Sequence, residues 1–168
     1  MNNIVLCGFM GCGKTTVGKI ISKKLGLAYF DSDEEIVVKE KMTIPEIFDK
    51  MGEPYFRKSE AETIKNFVNY KAVVSCGGGA MLNSETAKSV TENGGIIIFI
   101  DVPFDVCYER IKDDSNRPIA VNSTREQLLE RYNTRYPIYL ENSAIRVECD
   151  CSPMEASEKI ISAIKLRR

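Results

Sequence analysis

The string Gly8-Phe-Met-Gly11-Cys12-Gly13-Lys14-Thr15 narrows the possible folds of this chain more than any other segment. Its glycines let the backbone curl until several N–H groups point inward, and such a concavity binds anions. The apolar run Asn3–Cys7 before it reads as a strand buried on both faces. After it, Val17, Ile20, Ile21 and Leu25 recur at helical spacing, so a helix is expected from Lys14 to about Leu25, with Gly26 as its stop. A strand, a glycine turn and a helix N-terminus in that order form a cradle for phosphate oxygens. The pattern G-x-x-x-x-G-K-[ST] directs the Lys14 ammonium to the β- and γ-phosphates of a nucleotide and the Thr15 hydroxyl to Mg²⁺. A purely structural turn would need neither side chain. Cys12 serves the loop through its amide; the alternative is a redox-sensitive thiol near a helix N-terminus.

Further strands and helices alternate along the chain. Leu27–Phe30, Ala72–Cys76, Gly95–Ile100 and Ala144–Cys149 read as strands. Helices are expected through most of Asp33–Tyr70, where Thr43-Ile-Pro45 looks like a helix start and Gly52 a stop. Others are expected over Ser84–Thr91, Pro103–Ile111, Thr124 to about Tyr136, and Pro153–Leu166. The polar stretch Lys112–Ser123 suits a mobile loop. Continuous apolar strands between helices imply an α/β fold, a parallel sheet covered on both faces. A length of 168 residues fits one domain and scarcely two.

Charge and composition remove several function classes from the front rank. Lys and Arg total 23 against 24 Asp and Glu, so the basic excess of a phosphate-neutralising nucleic-acid binder is missing. No apolar run approaches the ~18 residues of a membrane span. The cysteines at 7, 12, 76, 107, 149 and 151 are too few for a disulfide scaffold, and the N-terminus lacks a basic leader region. Reduced thiols in a cytoplasmic protein are expected. Histidine is absent, so any proton transfer must use a carboxylate, lysine, tyrosine, thiol or water.

A phosphate cradle also needs a carboxylate near its metal ion. Asp101 ends the apolar strand Ile96–Ile100, and Asp31-Ser32-Asp33 ends the second strand. Residues two apart on an extended chain point the same way, so Asp31 and Asp33 could face one cleft. Gly77-Gly78-Gly79 follows the third strand, where bare backbone can lie against a ligand and offer N–H groups. Position alone leaves Asp101 and Asp31 both open as metal-side acids.

The motifs Gly11-Cys-Gly-Lys-Thr-Thr16, Phe30-Asp-Ser-Asp33, Gly52-Glu-Pro-Tyr-Phe-Arg57 with Glu60, Gly77-Gly-Gly79, Arg117-Pro118 and Arg131-Tyr-Asn-Thr-Arg135-Tyr-Pro-Ile-Tyr139 occur in this order. Together they resemble a shikimate kinase, and the resemblance spans nearly the whole chain. It implies a three-layer P-loop NTPase fold with a five-stranded parallel sheet in the order 2-3-1-4-5, and a single domain over 1–168. Within that domain it implies a substrate-binding helical region at about 33–70 and a lid at about 112–123. It implies transfer of the ATP γ-phosphate to the 3-hydroxyl of shikimate, a step toward chorismate and the aromatic amino acids.

The resemblance assigns ATP to Gly11, Cys12, Gly13, Lys14, Thr15, Thr16, Arg110 and Arg117. It assigns the metal to Thr15, with Asp31 and Ser75 acting through water, and it leaves Asp101 as a strand-end residue, expected to cap the helix after Pro103. Shikimate falls to Asp33, Arg57, Gly77, Gly78, Gly79 and Arg135, with Glu60 orienting Arg57. Two arginines suit the carboxylate of the acceptor, because a planar fork donates two parallel bonds. Lys14, Asp33 and Arg117 are expected to carry the chemistry, Asp33 as acceptor of the hydroxyl proton. In the lid, Ile119-Ala120 departs from the usual pair of leucines. The adenine loop, Cys149–Pro153, departs from the basic loops often seen, so no contact is assigned there. A monomer without nucleic-acid or membrane partners is the expectation. A gluconate kinase and a nucleotide-binding regulator are the competing readings.

Overall fold

The structure, a computed structural model, describes residues 3–114 and 118–167. Five parallel strands form one sheet: β1 (Asn3–Cys7), β2 (Ala28–Asp31), β3 (Ala72–Ser75), β4 (Ile96–Asp101) and β5 (Ile145–Glu148), in the order β2-β3-β1-β4-β5. Residues Ile4, Val5 and Leu6 of β1, Val73 and Val74 of β3, and Ile97, Ile98 and Ile100 of β4 are wholly buried. That burial is why these strands are continuous apolar runs, each such side chain contributing about 1.5–3 kcal/mol. β1 lies between β3 and β4, pairing Leu6 with Ser75 and with Ile98. The chain reverses its direction of travel across the sheet at β1, and ligand sites of open parallel sheets lie at such a switch, beyond the carboxyl ends of the strands.

Helix α1 (Lys14–Leu25) follows β1 and ends at Gly26, which adopts φ 64. Helix α2 (Ser32–Glu40) begins immediately after β2, with Asp31 as its cap. Helix α3 (Ile44–Phe67) starts with a reciprocal cap between Thr43 and Glu46 and breaks at Gly52, whose φ 81 and ψ 166 are not helical. The break divides α3 into the two pieces the sequence suggests. A 3₁₀ turn (Ala80–Leu82) and α4 (Ser84–Glu92) lead to β4, and α5 (Phe104–Ile111) follows it. A short helix, α6 (Pro118–Val121), precedes α7 (Arg125–Asn142), and α8 (Pro153–Leu166) closes the chain.

The structure corrects the sequence reading in two places here. The expected loop at Lys112–Ser123 contains α6, because Ala120 is buried against the main core. Helix α7 does not end near Tyr136 but runs to Asn142 through Pro137. Pro137 faces solvent, while the buried Tyr139 and a hydrogen bond from Asn142 Nδ2 to the Met81 carbonyl (2.9 Å) hold the last turns in place.

The main apolar core surrounds the sheet. A separate small cluster of Ile36, Ile47 and Phe56, with Met42, Ile44, Phe48 and Tyr55 against it, ties α2 to α3. Among the described residues no helix is long and apolar enough to cross a membrane.

Candidate active site

The glycine loop joins β1 to α1. Gly13 caps α1 at φ 93 without a side-chain bond, and no acidic residue lies in the first turn. The leading amides of α1, those of Lys14, Thr15 and Thr16 among them, are left for an external anion. Gly8 and Gly11 lie at φ 142 and 83, and a Cβ there would fall 2.7 Å from the Ile100 carbonyl oxygen and 2.6 Å from that of Cys107. The cradle is therefore a conformation other residues cannot adopt.

Lys14 Nζ donates to the carbonyls of Gly8 (2.9 Å) and Phe9 (3.0 Å), which holds the ammonium over the loop. Arg110 Nη1 donates to the Gly11 carbonyl at 3.0 Å and brings a second cation. Cys12 is buried, with its sulfur 3.5 Å from Lys14 Nζ.

Thr15 Oγ1 donates to Asp31 Oδ2 at 2.9 Å, at the exposed mouth of the loop. A hydroxyl beside a carboxylate is a hard-oxygen pair that fits Mg²⁺. Tyr29, pushed up to about 12 chiefly by burial and further by Asp31, also donates to Oδ2 (3.3 Å). Ser75, the register partner of Asp31 on β3, is buried and donates to the Lys14 carbonyl at 2.9 Å.

Asp101 does not cap α5, whose N-cap is Pro103 with no side-chain bond. It accepts from Arg146 Nε (2.7 Å) and the Tyr136 hydroxyl (2.8 Å), which ties β4 to β5 and α7. The acid at the end of β4 is thereby spent on structure, and Asp31 is the one beside Thr15.

The expectation that Asp31 and Asp33 share an extended face also needs correction. The strand stops at Asp31, and Asp33 lies in the first turn of α2, its N–H donating to Asp31 Oδ1 at 3.1 Å. The change from strand to helix at Ser32 turns the two side chains apart. Asp31 looks at Thr15, and Asp33 looks into a neighbouring cavity.

That cavity has a volume of about 240 Å³ and brings together Asp33, Arg57, Glu60, Gly77–Gly79 and Arg135. The two arginines come from different helices and flank the glycines. Arg57 Nη1 donates to Glu60 Oε2 at 2.9 Å, and Arg135 Nη1 donates to the Gly78 carbonyl at 3.1 Å. Tyr139, one turn after Arg135, also donates to that carbonyl and helps hold the guanidinium in place. Burial lowers the pKa of Arg135, and the charges of Arg131 and Arg57 lower it further. Burial works against the charge of Arg57 too, but Glu60 and Glu53 outweigh it and its pKa is raised. Two guanidiniums that repel each other across one cavity favour an anion between them.

Glu60 is buried, and its carboxyl is pushed up to about 7. Burial is the main cause; Arg57 pulls against it and Asp33 adds to it. Gly77 and Gly79 leave room for these groups. A Cβ on Gly77 would meet Glu60 Oε1 at 2.3 Å, and one on Gly79 would meet Arg57 Nη1 at 2.2 Å. None of the three glycines has positive φ, so they serve clearance and not turning. The Gly77 N–H donates to the Ser32 hydroxyl at 3.0 Å and is not offered to a ligand, contrary to expectation.

The glycine segment also lies against the phosphate cradle. The Cβ position of Gly78 is 3.6 Å from the Met10 nitrogen and 3.7 Å from the Gly8 oxygen, and Met10 itself lines the cavity. Asp114 and Ile119 reach the cavity from the lid side. Arg117 lies outside the described residues.

Sequence reasoning missed Glu53, which accepts from Arg57, and Tyr139. Both sit four residues from an arginine on a helix, and that spacing was the available signal.

Comparison with known proteins agrees with this geometry. The family model described as shikimate kinase matches residues 10–165. A shikimate kinase of Caldicellulosiruptor bescii is 41% identical over 165 residues, covering 96% of this chain and 95% of that one. The structure of the Acinetobacter baumannii shikimate kinase in complex with shikimate superposes with a TM-score of 0.93 at 33% identity, covering 100% of this chain and 95% of that one. A gluconokinase from Sinorhizobium meliloti, at 17% identity and a TM-score of 0.58 over 98% of this chain and 91% of that one, shares the fold alone.

Proposed function

The chain belongs to the shikimate kinase family, and on that premise we propose that it transfers the γ-phosphate of ATP to the 3-hydroxyl of shikimate. The product, shikimate 3-phosphate, lies on the way to chorismate and the aromatic amino acids. One observation carries the reading: a cavity that brings the guanidiniums of Arg57 and Arg135 together with Asp33, Glu60 and Asp114 shares the Met10 and Gly78 wall with a nucleotide-phosphate cradle. An acidic polyol held there presents a hydroxyl toward the γ-phosphate.

Arg57 and Arg135 take the acceptor carboxylate, and Asp33 accepts from a ring hydroxyl. Asp33 also receives the proton of the attacking hydroxyl; no histidine exists to do so. The amides of Gly11 to Thr16 and the Lys14 ammonium hold the β- and γ-phosphates. Arg110 lies beside the loop, and the role we give Arg117 is to add positive charge to the transferring group. Mg²⁺, when bound, neutralises phosphate charge. Thr15 would ligate it and Asp31 would hold it through water, while Ser75 fixes the Lys14 carbonyl at the start of α1. The whole chain acts as one kinase domain, with residues 33–70 as substrate region and 112–123 as lid. It works as a cytoplasmic monomer without nucleic-acid or membrane partners.

A coupled assay with ATP, Mg²⁺ and a panel of shikimate, gluconate and nucleoside monophosphates tests the proposal. Turnover with shikimate should exceed the others by at least about a hundredfold, since a site built on buried charges rejects acceptors that leave them unpaired. Equal use of gluconate, or phosphate release without an acceptor, contradicts it. In the same assay Asp33→Asn should lower kcat; a change in KM alone would reduce Asp33 to a binding group.

A further inference from the structure

Arg57 enters the cavity with its guanidinium already in use. Its Nε and Nη2 edge, which forms a two-pronged pair with a carboxylate, donates to Glu53 Oε1 at 3.2 and 2.9 Å. Its third nitrogen, Nη1, is held by the buried Glu60. Glu53 lies one helical turn before Arg57, just after the break at Gly52, and its side chain is 49% exposed. It is a carboxylate of the protein on the edge of Arg57 best suited to a carboxylate, and it lies in a groove beside the acceptor cavity.

A groove of about 480 Å³ runs from Glu53 and Asp49 on α3 to Arg131 on α7, with Phe48, Ile119 and Ser123 between. Arg131 is half-buried and makes no hydrogen bond or ion pair with a described residue. It lies one turn before Arg135, and its charge is felt there. A second groove, lined by Glu130, Thr134 and Arg135, reaches the other side of the same guanidinium. Arg131 is thus a cation without a described counter-ion, sharing one groove with Asp49 and Glu53 and another with Glu130.

We propose that Glu53 occupies the acceptor-carboxylate edge of Arg57 in the empty enzyme, and that Arg131 takes the Glu53 carboxylate when the acceptor displaces it. Before exchange Arg57 is paired and Arg131 is not; afterwards both are paired, Arg57 with the acceptor and Arg131 with Glu53. No charge is left stranded, and an exposed pair of the Glu53–Arg57 kind is weak enough to yield. Both residues are positioning residues. They set how tightly an acidic acceptor binds and touch neither reacting atom. This inference rests on the shikimate reading above.

Binding of shikimate, measured by calorimetry, tests it on wild type, Glu53→Gln, Arg131→Gln and the double variant. Glu53→Gln should tighten Kd by about two- to fivefold, and Arg131→Gln should weaken it by about as much, the range expected for an exposed ion pair. The double variant should match Glu53→Gln, because Arg131 has nothing to receive once the carboxylate is gone. The changes should fall on Kd and KM more than on kcat, and Arg131→Lys should restore part of the loss. Weaker binding by Glu53→Gln, or the same loss from Arg131→Gln in both backgrounds, overturns the exchange. Equal binding by all four proteins also overturns it and leaves the shikimate reading standing. Failure of the wild type to bind shikimate overturns that reading and the exchange with it.

Discussion

Gly79 shows how a single missing methyl group shapes the site. Its φ is ordinary, so alanine would fit the backbone, but the added carbon would lie 2.2 Å from Arg57 Nη1. Arg57 would have to move off Glu60. Gly79→Ala should therefore raise KM for shikimate by about tenfold or more while leaving the melting temperature near wild type, whereas Gly78→Ala, whose nearest neighbours are at 3.5 Å, should have the smallest effect of the three glycines. Steady-state kinetics on the alanine series checks the ranking; equal effects would show that the segment serves turning. Glu60 makes a second prediction. Its carboxyl titrates at about 7 in the folded chain, above the ordinary value of about 4.3. The folded state keeps this proton at pH values where the unfolded chain has lost it. The resulting stabilisation is complete below about pH 4.3 and is lost as pH rises through about 7. With no histidine in the chain, Glu60 dominates this window. Melting temperature should fall by a few degrees between pH 5 and 8, and Glu60→Gln should flatten the slope; an unchanged slope would contradict the assignment.

Elements hold these residues at fixed distances, and Asp101 belongs to this scale. It binds β4 to Arg146 of β5 and Tyr136 of α7. Asp101→Ala leaves the Tyr136 hydroxyl without its acceptor and Arg146 with Glu148 alone. It should lower stability by about 1–2 kcal/mol, discounted because Arg146 is 42% exposed, with little loss of kcat per folded molecule. A urea unfolding midpoint together with the kinase assay checks this, and a collapse of kcat in folded protein would return Asp101 to the metal side. The same residue shows what the sequence made legible. The phosphate cradle and the alternation of strands with helices could be read from local spacing, whereas the strand order and the convergence of Asp33, Arg57 and Arg135 were legible only through the resemblance to a known family, because they depend on contacts distant in sequence. Asp101 and Asp31 could not be separated by spacing, since both end strands. Only tertiary contacts assign one to Arg146 and the other to Thr15. Pro137 hid the last turns of α7 for a related reason: burial of Tyr139 outweighs a local helix breaker.

Over the whole molecule, two apolar clusters divide the work. The main core fixes the sheet and the phosphate cradle, and the smaller one ties α2 to α3 on both sides of the break at Gly52. Asp33 rides on α2 and Arg57 on α3, while Arg135 rides on α7. The cavity lies between these bodies, so binding an acid across Arg57 and Arg135 links them directly. The most direct measurement is a crystal structure with ADP and shikimate bound. The ring carboxylate should pair with Arg57 and Arg135, a hydroxyl should meet Asp33, and the β-phosphate should rest on the amides of Gly11 to Thr16. A ring bound away from Arg57 and Arg135, or phosphates outside the loop, would contradict the account.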